Sequence, residues 1–324
     1  MQFSAIRAFA IACAMSLGLV TAVHADVIAD ISELKLKSSA VLVLDDQTGE
    51  VLFSRNTDAI LPIASITKLM TAMVTLDAGL PLDETISVTH EDVDTLKGTG
   101  SRLRVGTELS RDDLLKLALM ASENRAASAL AGAYPGGRNA FVQAMNAKAR
   151  QLGMKGTYYV EPTGLSSSNV STAEDLAKLV RAAQTYQLIS DYSTLANHRV
   201  RIGTRSATFN NTNGLVRSGN WEIGLQKTGY ISEAGRCLVM QAKLAARSVI
   251  IVLLDSWGKY TRIADANRIR QWLEPEFIIP QPVKKITRAS SRSKVKAATR
   301  KPVKVVRTSS GRVKTQVKAK TQVQ

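Results

Sequence analysis

Ser65-Ile66-Thr67-Lys68 sets a hydroxyl and an amine three residues apart, the spacing that places two side chains on one face of a helix. A neutral lysine held there can take the proton of a serine that attacks a carbonyl. The product is an acyl-enzyme, and one hard step becomes two easier ones. The pattern is weak by itself, because it occurs five times, at Ser32, Ser65, Ser256, Ser291 and Ser293. Taken alone, Ser65 and Lys68 read as a helix N-cap and a solvated lysine. Placement separates this copy from the others. It follows Pro62 and opens an expected helix from Ile66 to about Asp77, whose free N–H groups and positive dipole end suit a developing oxyanion.

Two further segments could share in such chemistry. Ser122-Glu123-Asn124 falls where one expected helix ends and the next begins, although Ser-x-Asn recurs elsewhere in the chain, Ser167 and Ser218 among the places. Lys227-Thr228-Gly229 is the single Lys-Thr-Gly of the chain and lies in an expected strand, where a glycine lets another backbone or a substrate come close. Other chemistries are poorly provided for. After Ala25 the chain holds the histidines His90 and His198 and one cysteine, Cys237. A zinc site of several His and Cys ligands is therefore not expected, and no metal or cofactor is. There is no Gly-x-Ser-x-Gly elbow and no phosphate-cradling glycine loop. Cys237, in the apolar run Cys237-Leu238-Val239-Met240, reads as core.

These segments need elements to hold them. Ala40–Leu44 and Glu50–Ser54 read as a hairpin around Asp45-Asp46-Gln47-Thr48-Gly49. The middle of the chain reads as helical: Arg111 to Ala121, Arg125 to Ala133 and Arg138 to Leu152, then a helix opened by a capping box, Ser171-Thr172-Ala173-Glu174, and running to about Gln184. Trp221–Tyr230, Arg236–Leu244 and Arg247–Leu254 read as strands with short links, and Lys259–Leu273 as a last helix. Tightly linked sequential strands pair antiparallel. The expected fold is thus α+β, an antiparallel sheet flanked by helices, with a helical subdomain inserted at about residues 85–185.

The ends of the chain differ from its body. Arg7, the apolar run from Ala8 to Val23 and Val23-His24-Ala25 have the layout of a secretory signal peptide cleaved after Ala25, which implies a periplasmic protein. From Lys284 onward there are fourteen Lys and Arg and no Asp or Glu. These and Arg7 account for all but one of the net +16 charges, so the body is nearly neutral and is not expected to bind nucleic acid. Residues 26–282 form the expected catalytic domain, and residues 283–324 a disordered basic tail suited to an anionic wall polymer or a membrane surface.

Ser-x-x-Lys, Ser-x-Asn and Lys-Thr-Gly in this order form the motif set of active-site serine penicillin-recognising enzymes. With Ile63-Ala64-Ser65-Ile66-Thr67-Lys68-Leu69-Met70-Thr71-Ala72, Ala121-Ser122-Glu123-Asn124-Arg125 and Glu161-Pro162-Thr163-Gly164-Leu165, the body from about Ser38 to Leu273 resembles the low-molecular-mass penicillin-binding proteins, serine D,D-peptidases, and within them the D-alanyl-D-alanine endopeptidases. The resemblance implies peptidoglycan peptides as substrates and β-lactams as covalent inhibitors. It makes Ser65 the nucleophile, Lys68 the base and Ser122 the proton relay. Asn124 would hold the substrate amide and orient Lys68, Lys227 and Thr228 would bind the substrate carboxylate, and Gly229 belongs to the same substrate-binding segment. The backbone N–H groups of Ser65 and Tyr230 would form the oxyanion hole. Desolvation and the like charge of Lys227 would both lower the pKa of Lys68. A carboxypeptidase uses the same motifs, and the apparent lack of a C-terminal β-domain points to the endopeptidase. A β-lactamase, whose deacylating base often lies between the second and third motifs, and a non-catalytic wall-binding protein are the further alternatives.

Overall fold

The computed structural model describes residues 34–279. The signal-peptide reading and the basic tail lie outside the described residues. A five-stranded antiparallel sheet carries the architecture. In chain order the first elements are β1 (Ser38–Asp45) and β2 (Val51–Arg55), the expected hairpin, then a short β3 (Leu61–Pro62). A 3-10 turn, Ala64–Ile66, runs straight into α1 (Thr67–Asp77). The helical middle comprises β4 (Thr85–Ser87), β5 (Glu108–Ser110), α2 (Arg111–Met120), α3 (Asn124–Gly132) and α4 (Gly137–Gln151), followed by β6 (Val170–Ser171), α5 (Ala173–Gln184) and α6 (Gln187–Thr194). A hairpin of β7 (Asn197–Ile202) and β8 (Arg205–Asn210) and a single turn α7 (Gly214–Ser218) precede β9 (Glu222–Ile231), β10 (Gly235–Leu244), β11 (Arg247–Ser256) and α8 (Thr261–Leu273).

The sheet order is β2-β1-β11-β10-β9, so the first hairpin joins the last strands and β9 is an edge. The central strands are buried on both faces, which is why they read as unbroken apolar runs rather than alternating ones. Ala40, Leu42, Val239 and Val252 face the helices α1 and α5, while Val41, Val43, Met240 and Ile251 face α8. The buried Asp265 of α8 accepts from the N–H of Ser38 at 2.8 Å and from its hydroxyl at 2.8 Å, fixing where β1 begins. Cys237 is fully buried in this core, as expected.

Most expected elements are present to within one or two residues. The capping box needs correction. The cap of α5 is Thr172, whose hydroxyl accepts from the N–H of Asp175, while Glu174 takes the hydroxyl of Thr57 instead. The β7–β8 hairpin, α6 and α7 were not anticipated.

The β10–β11 connection holds an unusual strain. Its two residues, Ala245 and Ala246, have φ of 48° and 63°, the left-handed pair of a type I′ turn that favours Asn-Gly. Left-handed backbone costs a residue with a Cβ roughly 1–2 kcal/mol. The double change Ala245→Asn, Ala246→Gly is expected to stabilise the fold by about 1 kcal/mol, a rise of ~2–4 °C in Tm in a thermal melt. An unchanged or lower Tm would mean that the turn is not under this strain.

Candidate active site

Three segments remote in sequence converge where β9 passes the start of α1. β3 pairs with β6, and the N–H of Ile63 donates to Asn169 O at 3.1 Å, which delivers the chain to the turn carrying Ser65. Ser65 sits in that 3-10 turn just before α1, rather than as the first residue of the helix. Its neighbour Ala64 is held at φ 47°.

Lys68, on the first turn of α1, is fully buried. Its Nζ lies 2.9 Å from Ser65 Oγ, 2.7 Å from Asn124 Oδ1 and 2.6 Å from Thr163 O. The carbonyl of Thr163 can only accept. Asn124 presents its oxygen because its Nδ2 donates to Thr99 Oγ1 at 3.1 Å. A neutral amine has two N–H donors and one lone pair. With both donors spent on these oxygens, the lone pair is left facing the hydroxyl of Ser65, the geometry a general base needs. Burial pushes the Lys68 amine down to about 8, against the opposing pull of the Glu161 and Glu123 carboxylates. Burial first, then the Lys68 and Arg262 charges, hold the Lys227 amine well below the ordinary lysine range.

Ser122 ends α2 in the left-handed region, at φ 57°. The kink separates α2 from α3 and leaves its hydroxyl accepting from Lys227 Nζ at 2.9 Å. Lys227 also donates to Thr228 O at 2.9 Å. The hydroxyls of Thr228 and Thr212 meet at 2.6 Å, and Thr212 N donates to Met120 O at 2.9 Å, tying β9 to the end of α2. Gly229 allows the crossing. A Cβ there would lie 2.9 Å from Ile63 O and 3.2 Å from Ser65 N.

A cleft of about 400 Å³ opens on this cluster and is lined by Ser65, Ser122, Asn124, Thr228, Gly229 and Tyr230, with the amines of Lys68 and Lys227 reaching up from beneath. All eight residues singled out in the sequence are thus together. Two of the remaining copies of the short motifs have other partners. Ser256 is buried and donates to Thr261 Oγ1, and Ser218 donates to Leu215 O. Ser32, Ser291 and Ser293 lie outside the described residues.

Two contributors escaped the sequence reading. Arg262, on the first turn of α8, lines the cleft with Nε and Nη1 buried and unpartnered among the described residues. Burial and the Arg236 charge push its pKa down to about 10, so it remains a cation at neutral pH. Glu161, which lies in the interval where a β-lactamase would carry its deacylating base but belongs to the Glu-Pro-Thr-Gly-Leu segment, is the clamp of its loop. Its carboxylate accepts from the N–H of Thr163 at 2.6 Å, the N–H of Gly164 at 2.6 Å and the side chain of Asn169 at 3.1 Å. That loop presents the Thr163 carbonyl to Lys68. A lone arginine at a helix start and a carboxylate bonded to its own loop carry no spacing that sequence could flag.

The chain matches the D-alanyl-D-alanine carboxypeptidase family over residues 26–258. It is 54% identical over 242 residues to a D-alanyl-D-alanine endopeptidase of Pseudomonas aeruginosa, covering 74% of this chain and 78% of that one. With a D-alanyl-D-alanine endopeptidase of Escherichia coli it shares 49% over 253 residues, 78% of this chain and 82% of the other. The crystal structure of a Streptomyces DD-transpeptidase superposes with a TM-score of 0.69 at 27% identity, over 74% of this chain and 98% of that one. The antiparallel sheet between helices, the convergent serine–lysine pairs and these likenesses agree: the chain belongs to the D-alanyl-D-alanine carboxypeptidase family.

Proposed function

We propose that the protein is a periplasmic serine D,D-endopeptidase that hydrolyses D-alanyl cross-links in peptidoglycan. The observation that carries this reading is the Lys68 amine, with two fixed acceptors and its third direction on Ser65 Oγ. Ser65 Oγ attacks the D-alanyl carbonyl as its proton passes to Lys68. The N–H groups of Ser65 and Tyr230 receive the oxyanion. The C–N bond breaks as the leaving amine takes, through Ser122, the proton that Lys68 accepted. The neutral Lys68 then takes a proton from the water that attacks the ester, and passes it to Ser65 Oγ as the acyl group leaves. Lys227, Thr228 and Arg262 hold the carboxylate beyond the scissile bond. Burial holds the Lys227 amine below the ordinary lysine range, and an adjacent carboxylate favours its charged form.

The cross-link places a carboxylate of a D-centre where a terminal D-alanine places its own, so carboxypeptidase activity is the second reading. The carboxylate of Glu161 is spent on its own loop, which argues against a β-lactamase and for slow release of bound penicillin. The reading includes cleavage after Ala25, a role in wall remodelling and a basic tail from Lys284 drawn to an anionic wall polymer or membrane surface. The test is incubation with cross-linked muropeptide dimers and, separately, with monomers ending in D-Ala-D-Ala, followed by chromatography. Conversion of dimers to monomers is the expected result. Release of D-alanine alone would select the carboxypeptidase, and cleavage of neither would remove both readings.

A further inference from the structure

Beyond the catalytic cluster the cleft ends on a charged pair. Lys97, in the segment between β4 and β5, lines the cleft beside Tyr230, Ile231 and Ser232. Its Nζ lies 2.5 Å from Glu233 Oε1, in the turn that follows β9. Both side chains remain partly open to solvent, 31% and 43% exposed. The segment under Lys97 is held firmly. Asp94 accepts from the N–H groups of Leu96, Lys97 and Thr99, Thr99 accepts from Asn124, and the hydroxyl of Ser101 donates to Glu123 at 2.5 Å. Lys97 therefore lines the end of the cleft from a fixed segment, with Glu233 beside it.

Its place along β9 says which part of a substrate it would meet. In the reading given above, on which this inference rests, Lys227 and Thr228 hold the group beyond the scissile bond and Tyr230 N–H marks the reacting carbonyl. The acyl side must then continue along the free edge of β9 past Ile231 and Ser232, as an extended peptide pairs with an exposed strand. Glu233 lies three residues past Tyr230, roughly 10 Å at ~3.3 Å per residue, within reach of a long side chain on the residue before the scissile D-alanine. A cation and an anion side by side form the complement of a group that carries both charges on one carbon. A partly exposed ion pair contributes little by itself, so exchanging it for two equivalent pairs costs little.

We propose that Lys97 and Glu233 form a subsite for a zwitterionic α-amino acid at the end of the acyl-donor side chain, Lys97 taking its carboxylate and Glu233 its ammonium group. The subsite would select stem peptides whose diamino-acid side chain ends in a free amino acid centre over those in which that amine is blocked.

The test uses the full chain and two cephalosporins with the same nucleus: one whose side chain ends in a D-α-amino acid, and the same compound N-acetylated on that amine. Second-order acylation rate constants are read from intact-protein mass spectra. The free amino acid is expected to react about fivefold faster than the acetylated one, as an exposed ion pair of the usual strength would give. That ratio should fall to about one in Glu233→Gln and in wild type at high salt, because screening acts on exposed charges, whereas Lys97→Met, which loses the carboxylate contact common to both compounds, should slow both relative to benzylpenicillin without lowering the ratio. Reading the ratio within each variant cancels any general loss of activity. A ratio of one in wild type, a ratio surviving in Glu233→Gln, or Lys97→Met rates unchanged relative to benzylpenicillin would overturn the subsite and leave the pair as a fastening of the loop. Absence of any adduct with either compound would remove the acyl-enzyme reading and the subsite with it. Equal adducts would remove the subsite alone.

Discussion

Lys68→Ala is expected to slow acylation by penicillin by about 10²–10⁴-fold, the usual range for loss of a positioned general base. The amine has no substitute, since the nearest other one, Lys227, is committed to Ser122 and Thr228 O. The same account fixes the pH dependence. Lys68 acts only when neutral, and burial places its pKa at about 8. The wild-type acylation rate at saturating penicillin should rise about tenfold per pH unit through the acid range and level off above about 8. In Lys68→Ala that rise should be absent. A variant that keeps the wild-type pH profile at a lower rate would show that another group accepts the proton.

Gly164→Ala should be nearly as damaging without touching any reacting atom. Gly164 has φ +80°, and a Cβ there would lie 1.9 Å from Ala64 O and 2.8 Å from Ser65 N. No flexible side chain is involved, so either the peptide before the nucleophile or the Glu161 loop must move. The first displaces Ser65 and the second withdraws the Thr163 carbonyl from Lys68. A shift of ~1 Å in a reacting group can cost about 100-fold, and a fall of that size in the acylation rate is the expected outcome. The left-handed alanine adds roughly 1–2 kcal/mol of strain, to be read as a lower melting temperature. Wild-type acylation in Gly164→Ala would mean that the packing of this loop against Ala64 does not position the nucleophile.

The sequence showed the parts of this molecule that rest on periodicity and on short-range spacing. Strands such as Val249–Leu254 are apolar on both faces because both are covered, and α5 shows a clear apolar stripe. The cluster itself was legible because each motif has its own turn of chain: a serine one helical turn before a lysine, a serine at a helix corner, a glycine in a strand. What remained hidden depends on tertiary contact. The β7–β8 hairpin buries only Val200 and Phe209 among mostly polar and basic residues, so its alternation is faint. Arg262 matters for where α8 places it, and nothing in its neighbourhood announces the cleft. The left-handed Ala64 and Ser122 break the preference of their residue types, and that strain belongs to the site rather than to the sequence pattern.

The central claim is that Ser65 Oγ becomes the acyl carrier, and intact-protein mass spectrometry after incubation with benzylpenicillin tests it most directly. Wild-type protein should gain one penicilloyl group, peptide mapping should place it on Ser65, and Ser65→Ala should gain none while retaining its fold. An adduct on Ser122 or Ser256, or an adduct that persists in Ser65→Ala, would contradict the account.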